Sequence, residues 1–528
     1  MKNNYKRKYF THTIVAILAV IGIVAAINII ANFVFQRYDF TQDKSYSLSS
    51  ASKTALQDLK EKVTVNVYFS EKLPPEYLTI RQNVEDLLKE YQTYGGNNLK
   101  INYIDPKDNT ELQQQLKIKG IPELQFNITE KDQFQLTTGY LGMAVDYLDK
   151  EEVLPVVQSI DSFEYDMTSA IKKVTATQTF QIAWAKNAGD AAADLQTLSQ
   201  SSSQNKKYSE VIKELNKDYQ IVDVDLTNGQ LLDNNTYKTL VVAGVESELD
   251  DKSKYVIDQF IMKGGSVLFM LDGVTVNQNL QAQINKTGLD EMLKNYGVTI
   301  SQKMVLDNSS EIASFSGGYT NFMVQYPYWI KVTKTGFTKD NAAVSSLESL
   351  VLPWVSNIDA PNGKPLVQSS NKSWLSGDSI DLNPQQDFTS TNFSQYNLAM
   401  TLNNSLNSYY QGKDKPADVD TANFTDKTDN ARVVVVGDAD FVSDTFIGLY
   451  PDNFTFLANM LDWLDQNESL ISIRSKGVSD RSLKELSDSE KASIKYLNIF
   501  GITGIVIVLG VIRFILRKKK FKKIKFKL

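Results

Sequence analysis

The chain has 528 residues, with 56 Lys+Arg against 62 Asp+Glu, a formal net charge of −6 and no cysteine. Without cysteine there is no disulfide framework, no thiol nucleophile and no C-x-x-C redox pair. The single histidine is His12, so Ser-His and Cys-His catalysis and the usual His/Cys zinc sites are excluded from everything after it.

Residues 1–12 carry Lys2, Lys6, Arg7 and Lys8 and no acid. The apolar run 13–35 follows, interrupted only by Asn28 and Asn32 as strong polar residues. A cleavable signal peptide has a shorter apolar region and then a small-residue site. This run is longer and ends in Phe33-Val34-Phe35, which predicts an uncleaved transmembrane helix. The far end of the chain mirrors it. Residues 496–516 open with YLNIFGITGIVIVLGVI, and the segment 517–528 ends in KKKFKKIKFKL. A spanning helix needs about 20 mostly apolar residues, a length reached here if Arg513 and Arg517 snorkel to the surface. Basic flanks stay on the cytoplasmic side. The expectation is a two-pass protein of the plasma membrane, with both termini cytoplasmic, the middle outside and membrane lipids as partners.

The charge distribution agrees. Setting aside the 4 basic residues before the first run and the 9 at or after the second leaves 43 Lys+Arg against 62 Asp+Glu, a net of −19. An acidic exterior with basic cytoplasmic ends follows the positive-inside rule. It argues against nucleic acid, which needs a basic surface. Sequons such as those at Asn127, Asn285, Asn423 and Asn453 arise by chance in an Asn-rich chain. A cysteine-free exterior fits a Gram-positive bacterial surface.

The overall reading is α/β: two extracytoplasmic domains between two transmembrane helices. The first, 38–175, opens with a short helix capped by Ser49 or Ser50. Strand VTVNVYF follows, then a helix over 78–94 with Ile80, Val84, Leu87, Leu88 and Tyr91 on one face, and strand LKINYI. A helix near 111–117, the turn at Ile121-Pro122, strand ELQFNI and hairpin strands at 139–147 and 152–157 complete it. This βαβ-then-ββ order predicts a thioredoxin-like fold used as a scaffold.

The second domain, 176–475, alternates strands and helices. Strand TFQIAWA precedes a polar loop, 188–204, and a helix at 208–217. Strands YQIVDVDL and KTLVVAG lead to a helix begun by Asp250-Asp251 and closed by Gly264-Gly265, and SVLFMLD follows at once. The pattern predicts a flavodoxin/Rossmann-like doubly wound sheet. Its last unit, ARVVVVGDADF and a helix at 453–464, comes only after a long insertion, 303–430. A linker, 476–495, joins the second span.

Asp438, Asp440 and Asp444 cluster after an apolar strand, and Asp272 ends another, where α/β folds bind ligands. These four are the candidate ligand-binding residues. Carboxylates there are able to hold Ca²⁺ or Mg²⁺ or act as acid and base, but the expected role is to cap helices and turns. The expectation is no cofactor, no resident metal and no catalysis. No G-x-x-x-x-G-K-[ST] loop is present, so the chain does not hydrolyse ATP itself. Asn28 on the first span, with Gly501 and Gly504 on the second, are the residues placed to contact a partner helix in the membrane.

The chain resembles the GldG-like family of ABC-transporter auxiliary proteins. The resemblance is carried by YDFTQDKSYSLSSASKTALQDLKEKVTVNVYFS, LKINYIDP and GIPELQF in the first domain. In the second it is carried by LVVAGVESELDDKSKYVIDQFIMKGGSVLFMLD and by ARVVVVGDADFVSDTF with NFTFLANMLDWLDQNESLISIRSK. Many relatives have a Gly-His-Gly-Glu-like turn after the first strand of the second domain, where this chain reads WAKNAGD. The resemblance implies a non-catalytic, membrane-anchored subunit, handling substrate or otherwise assisting, beside an ABC permease and a separate ABC ATPase. The alternative is a cell-surface carbohydrate-binding protein or hydrolase using the strand-end carboxylates.

Overall fold

The computed structural model describes residues 17, 19–20, 22–23, 47–130, 133–157, 159–160, 162–176, 181–186, 207–277, 279–316, 321–465, 468–474 and 488–525. The result is a mixed α/β protein. By its internal contacts the chain divides into two units, Met1–Ser479 and Asp480–Leu528.

The first unit opens with α1 (Ser50–Gln57), whose N-cap Ser49 accepts a hydrogen bond from the Ser52 amide. Then come β1 (Val63–Phe69), α2 (Pro75–Gly95) and β2 (Leu99–Ile104). Pro74 and Pro75 start α2 three residues earlier than its apolar periodicity does, since Pro suits the first turn. Val84, Leu87, Leu88 and Tyr91 are all buried, as their spacing requires. After α3 (Thr110–Ile118), β3 (Leu124–Glu130) pairs with β4 (Gln133–Gly139) in a separate ribbon. That ribbon was not anticipated as a separate element. β5 (Leu141–Tyr147) and β6 (Lys150–Leu154) complete the main sheet, in the order β2-β1-β5-β6. β6 stops at Leu154 because Pro155 follows, short of the expected 157. β1 is parallel to β2 and antiparallel to β5. Ile121–Pro122 is trans. α4 (Phe163–Thr175) closes this part, with Glu164 accepting from the Ser49 amide and the Ser52 hydroxyl, each at 2.6 Å.

The second sheet contains β7 (Gln181–Ala185), β8 (Gln220–Val224), β9 (Tyr237–Ala243) and β10 (Ser266–Met270), with α5 (Ser209–Leu215) and α6 (Asp251–Met262) between them. Asp250 caps α6 through the Ser253 amide, at 2.8 Å. β11 (Lys364–Gln368), β12 (Asn397–Leu402) and β13 (Arg432–Val436) extend the sheet to seven strands, ordered β11-β12-β13-β10-β9-β7-β8. The five strands from β13 to β8 are parallel. Taken in chain order they stand 2-1-3-4-5, the arrangement of flavodoxin-type sheets.

Alternate residues face opposite layers. Trp184, Val241, Leu268 and Val434 join α5 and α7 (Pro451–Leu464), while Ala183, Leu240, Val267 and Val433 join α6 and the helix Asp290–Asn295. One boundary needs correcting. Residues 303–430 are not a single detached insertion, because β11 and β12 belong to the main sheet. β13 is buried between the two helical layers, so both of its hydrogen-bonding edges need a strand beside them. β10 supplies one and β12, antiparallel, the other. α8 (Glu468–Arg474) ends this unit.

The second unit contains α9 (Asp488–Lys525), 38 residues long. Tyr496, Leu497, Ile499, Phe500, Ile507, Val508 and Leu509 are exposed along it. Among the described residues no helix is long and apolar enough to cross a membrane. Between Lys495 and Arg513 the uncharged stretch of α9 is 496–512, shorter than the roughly 20 residues a span needs without snorkelling charges. Most of 13–35, including Asn28, lies outside the described residues.

Candidate functional site

Strand register builds the site. β10 and β13 are parallel neighbours with Met270 opposite Val436. Two residues further along each chain stand Asp272 and Asp438, so the register brings the two carboxylates side by side at the carboxyl ends of the strands. The Leu271 amide still donates to the Val436 carbonyl, at 3.0 Å, which carries the pairing past the strand ends. Asp440 opens a short 3₁₀ turn, Asp440–Val442. Asp272, Asp438 and Asp440 each place a carboxylate oxygen within 4.8 Å of the others.

Backbone amides fix the inner two. Ala439 N–H donates to Asp272 Oδ1 at 2.7 Å. Asp438 Oδ1 accepts from the amides of Asp440, at 2.7 Å, and Phe441, at 3.2 Å. The remaining oxygen of each, Oδ2, is buried without a hydrogen-bond partner among the described residues. Asp438 is completely buried and Asp272 nearly so. Asp440 is the outer member, paired at 2.8 Å with Lys207, which also reaches Glu246 at 3.0 Å.

The electrostatics follow from burial. Desolvation, with the charge of Asp440 adding to it and Lys207 opposing, pushes Asp272 up to about 7. Burial and the neighbouring Asp272 and Asp440 hold Asp438 well above the usual carboxylate range. Burial works against the Lys207 ammonium, but Tyr208, Asp440 and Asp272 outweigh it and keep Lys207 charged. Tyr208, under the site, donates to the Ala439 carbonyl at 3.2 Å, and its ring lies 5.8 Å from that of Trp184. Gly244 makes room for it: φ is +60°, and a Cβ there would sit 2.3 Å from the Tyr208 hydroxyl.

Three of the four sequence candidates therefore meet. Asp444 serves elsewhere. Its carboxylate accepts from the Ser209 amide (3.2 Å) and hydroxyl (2.5 Å) and from the Glu210 amide (2.8 Å), which caps α5. In the separate unit, Gly504 is exposed on α9 and a Cβ there would meet nothing within 4 Å. At Gly501 the Cβ would only brush Leu497 of the same helix, at 3.8 Å. Lys207 and Tyr208 were not singled out from the sequence. A lysine at the edge of a polar stretch reads as solvated, and only the fold brings it to Asp440.

Residues 191–464, which include the whole carboxylate cluster, match the family model described as an ABC-type uncharacterized transport system. The chain belongs to this family. As a member of an ABC transport-system family it is a transporter-associated protein. Residues 42–146 match a second model, a domain of unknown function. An uncharacterized protein of Borreliella burgdorferi is 25% identical over 502 residues, covering 92% of this chain and 94% of its own length. Among solved structures, the N-terminal domain of mmIFT52 is 13% identical with a TM-score of 0.33, covering 54% of this chain and 97% of its own. A ThuA-like protein from Bacteroides uniformis is 12% identical with a TM-score of 0.29, covering 55% and 93%. At such scores neither structure bears on function.

Proposed function

We propose that this protein is a non-catalytic, membrane-anchored auxiliary subunit of an ABC transporter, working beside a separate permease and a separate ATPase. Family membership through residues 191–464 carries the reading. The sequence supports the division of labour: it has no phosphate-binding loop, so ATP hydrolysis falls to another chain. Anchoring rests on the apolar runs 13–35 and 496–516, their basic outer flanks and the exposed apolar side chains of α9. Two spans are too few to enclose a transport path, which a permease supplies. The first domain acts as a thioredoxin-like scaffold without redox chemistry, since it has no cysteine. The finer kinship, to the GldG-like proteins, rests on the motifs of both domains taken together.

In-membrane cross-linking tests this reading. A photo-reactive residue at Gly504, on the exposed apolar length of α9, should form an adduct with a polytopic permease in native membranes. Adducts to lipid alone from Gly504, and likewise from Gly501, would contradict it.

A further inference from the structure

We propose that Asp272, Asp438 and Asp440 hold one hard divalent cation of the Ca²⁺/Mg²⁺ class at the carboxyl end of the parallel sheet. The three carboxylate oxygens lie within 4.8 Å of one another. One ion with oxygen distances of about 2.3–2.6 Å spans such a set. Oxygen ligands without His or Cys select hard cations over zinc or copper.

The second observation is independent of that clustering. Asp272 and Asp438 are both more than nine-tenths buried, and each has an Oδ2 that no donor among the described residues reaches. A buried carboxylate oxygen without a partner is costly and calls for a proton or a cation. The Oδ1 atoms are already held by backbone amides, so the carboxylates are oriented before any ion arrives.

The backbone around them is closed tightly. A Cβ on Gly273 would lie 2.0 Å from the Ser301 carbonyl oxygen, and one on Gly437 would lie 2.1 Å from that of Ser356. The buried Ser356 hydroxyl also lacks a partner among the described residues and stands 2.7 Å from the same Gly273 Cβ position, which adds a neutral oxygen at these strand ends. Charge completes the case. Lys207 is shared between Asp440 and Glu246, so the carboxylates here outnumber the one cation, an imbalance that a bound divalent ion reduces. Lys207 pairs with the outermost ligand, Asp440, and so competes with the ion for it.

The test is calorimetric titration of chelator-treated full-length protein in mild detergent at about pH 7.5, with CaCl₂ and MgCl₂ in turn, alongside thermal unfolding. Saturable binding of one ion per chain with a rise in Tm is expected. Asp438→Asn should weaken it by about tenfold or more. Should that variant fail to fold, Lys207→Gln decides, because it removes no ligand and frees Asp440. Binding tighter than wild type is then expected. No binding of either ion by wild type and by Lys207→Gln would show that protons alone neutralise the pair. Binding that Asp438→Asn or Lys207→Gln leaves unchanged would place the ion elsewhere on the acidic surface. Both results would overturn the proposal without touching the transporter reading, which cross-linking tests separately.

Discussion

Arg474, the last described residue of α8, forms an ion pair with Asp462 of α7 at 2.8 Å, and both side chains are almost entirely out of solvent. The same guanidinium donates to the Tyr165 hydroxyl of α4, to Asn459 at 2.6 Å and to the Tyr219 hydroxyl at 3.2 Å. One residue thus joins the final helix of the first domain to α7 and to the turn before β8 in the second. Burial raises Asp462 above its ordinary range although Arg474 opposes this. Removing the arginine strands a buried carboxylate. Arg474→Met should cost about 3–5 kcal/mol in urea unfolding, and the double change with Asp462→Leu should recover most of it. A single variant as stable as wild type would mean that the pair does not join the domains.

Stability should fall, not rise, on leaving mild acid as far as Asp465 is concerned. Burial, aided by the charge of Asp462, lifts Asp465 from 3.8 to about 6, against the hydrogen bond from Thr239 and the charge of Lys238. Because the folded pKa is the higher one, the folded state binds the proton more tightly. Its contribution is therefore fully present below about pH 4 and is lost as pH rises through about 6. Asp465→Asn should flatten the urea midpoint between these pH values. An unchanged slope would contradict the assignment.

Glycines in the two units should respond differently. Gly437→Ala drives a methyl against the Ser356 carbonyl at 2.1 Å, an overpacking that should cost about 1–3 kcal/mol. Gly504→Ala meets nothing within 4 Å, so the Tm should not move, while permease cross-linking should weaken if α9 docks there. Equal loss of Tm in both variants would argue against this contrast.

Topology is open to labelling because the native chain has no cysteine. A cysteine at Ser201 should react with an impermeant maleimide on intact cells, and one at Asn4 should not. The reverse pattern would overturn the expected orientation.

Much of the fold was legible because apolar runs dominate it. VVAG, SVLFM and RVVVV read as buried parallel strands and are buried in the sheet. Asp272 and Asp438 could be named in advance because each follows an apolar strand, at the end where α/β folds bind ligands. The rest depended on distant pairing. Nothing local in Lys364–Gln368 or Asn397–Leu402 says that they edge the main sheet rather than a separate module. Lys207 is likewise polar in sequence and meets Asp440 only through the crossing of β7 and α5. Asp444 shows the limit of reading by type, since a carboxylate near a strand end turned out to cap a helix.

The central claim is that this chain works within an ABC transporter while another subunit hydrolyses ATP. Affinity purification of the tagged protein from its native membranes in mild detergent, with protein identification and an ATP hydrolysis assay on the eluate, tests it most directly. The account predicts a permease and an ATPase in a fixed ratio to this chain, with hydrolysis recovered in the eluate. Asn28→Leu should reduce that recovery by an amount equivalent to about 1 kcal/mol. Elution of the chain alone, without an ATPase or hydrolysis, would contradict the account.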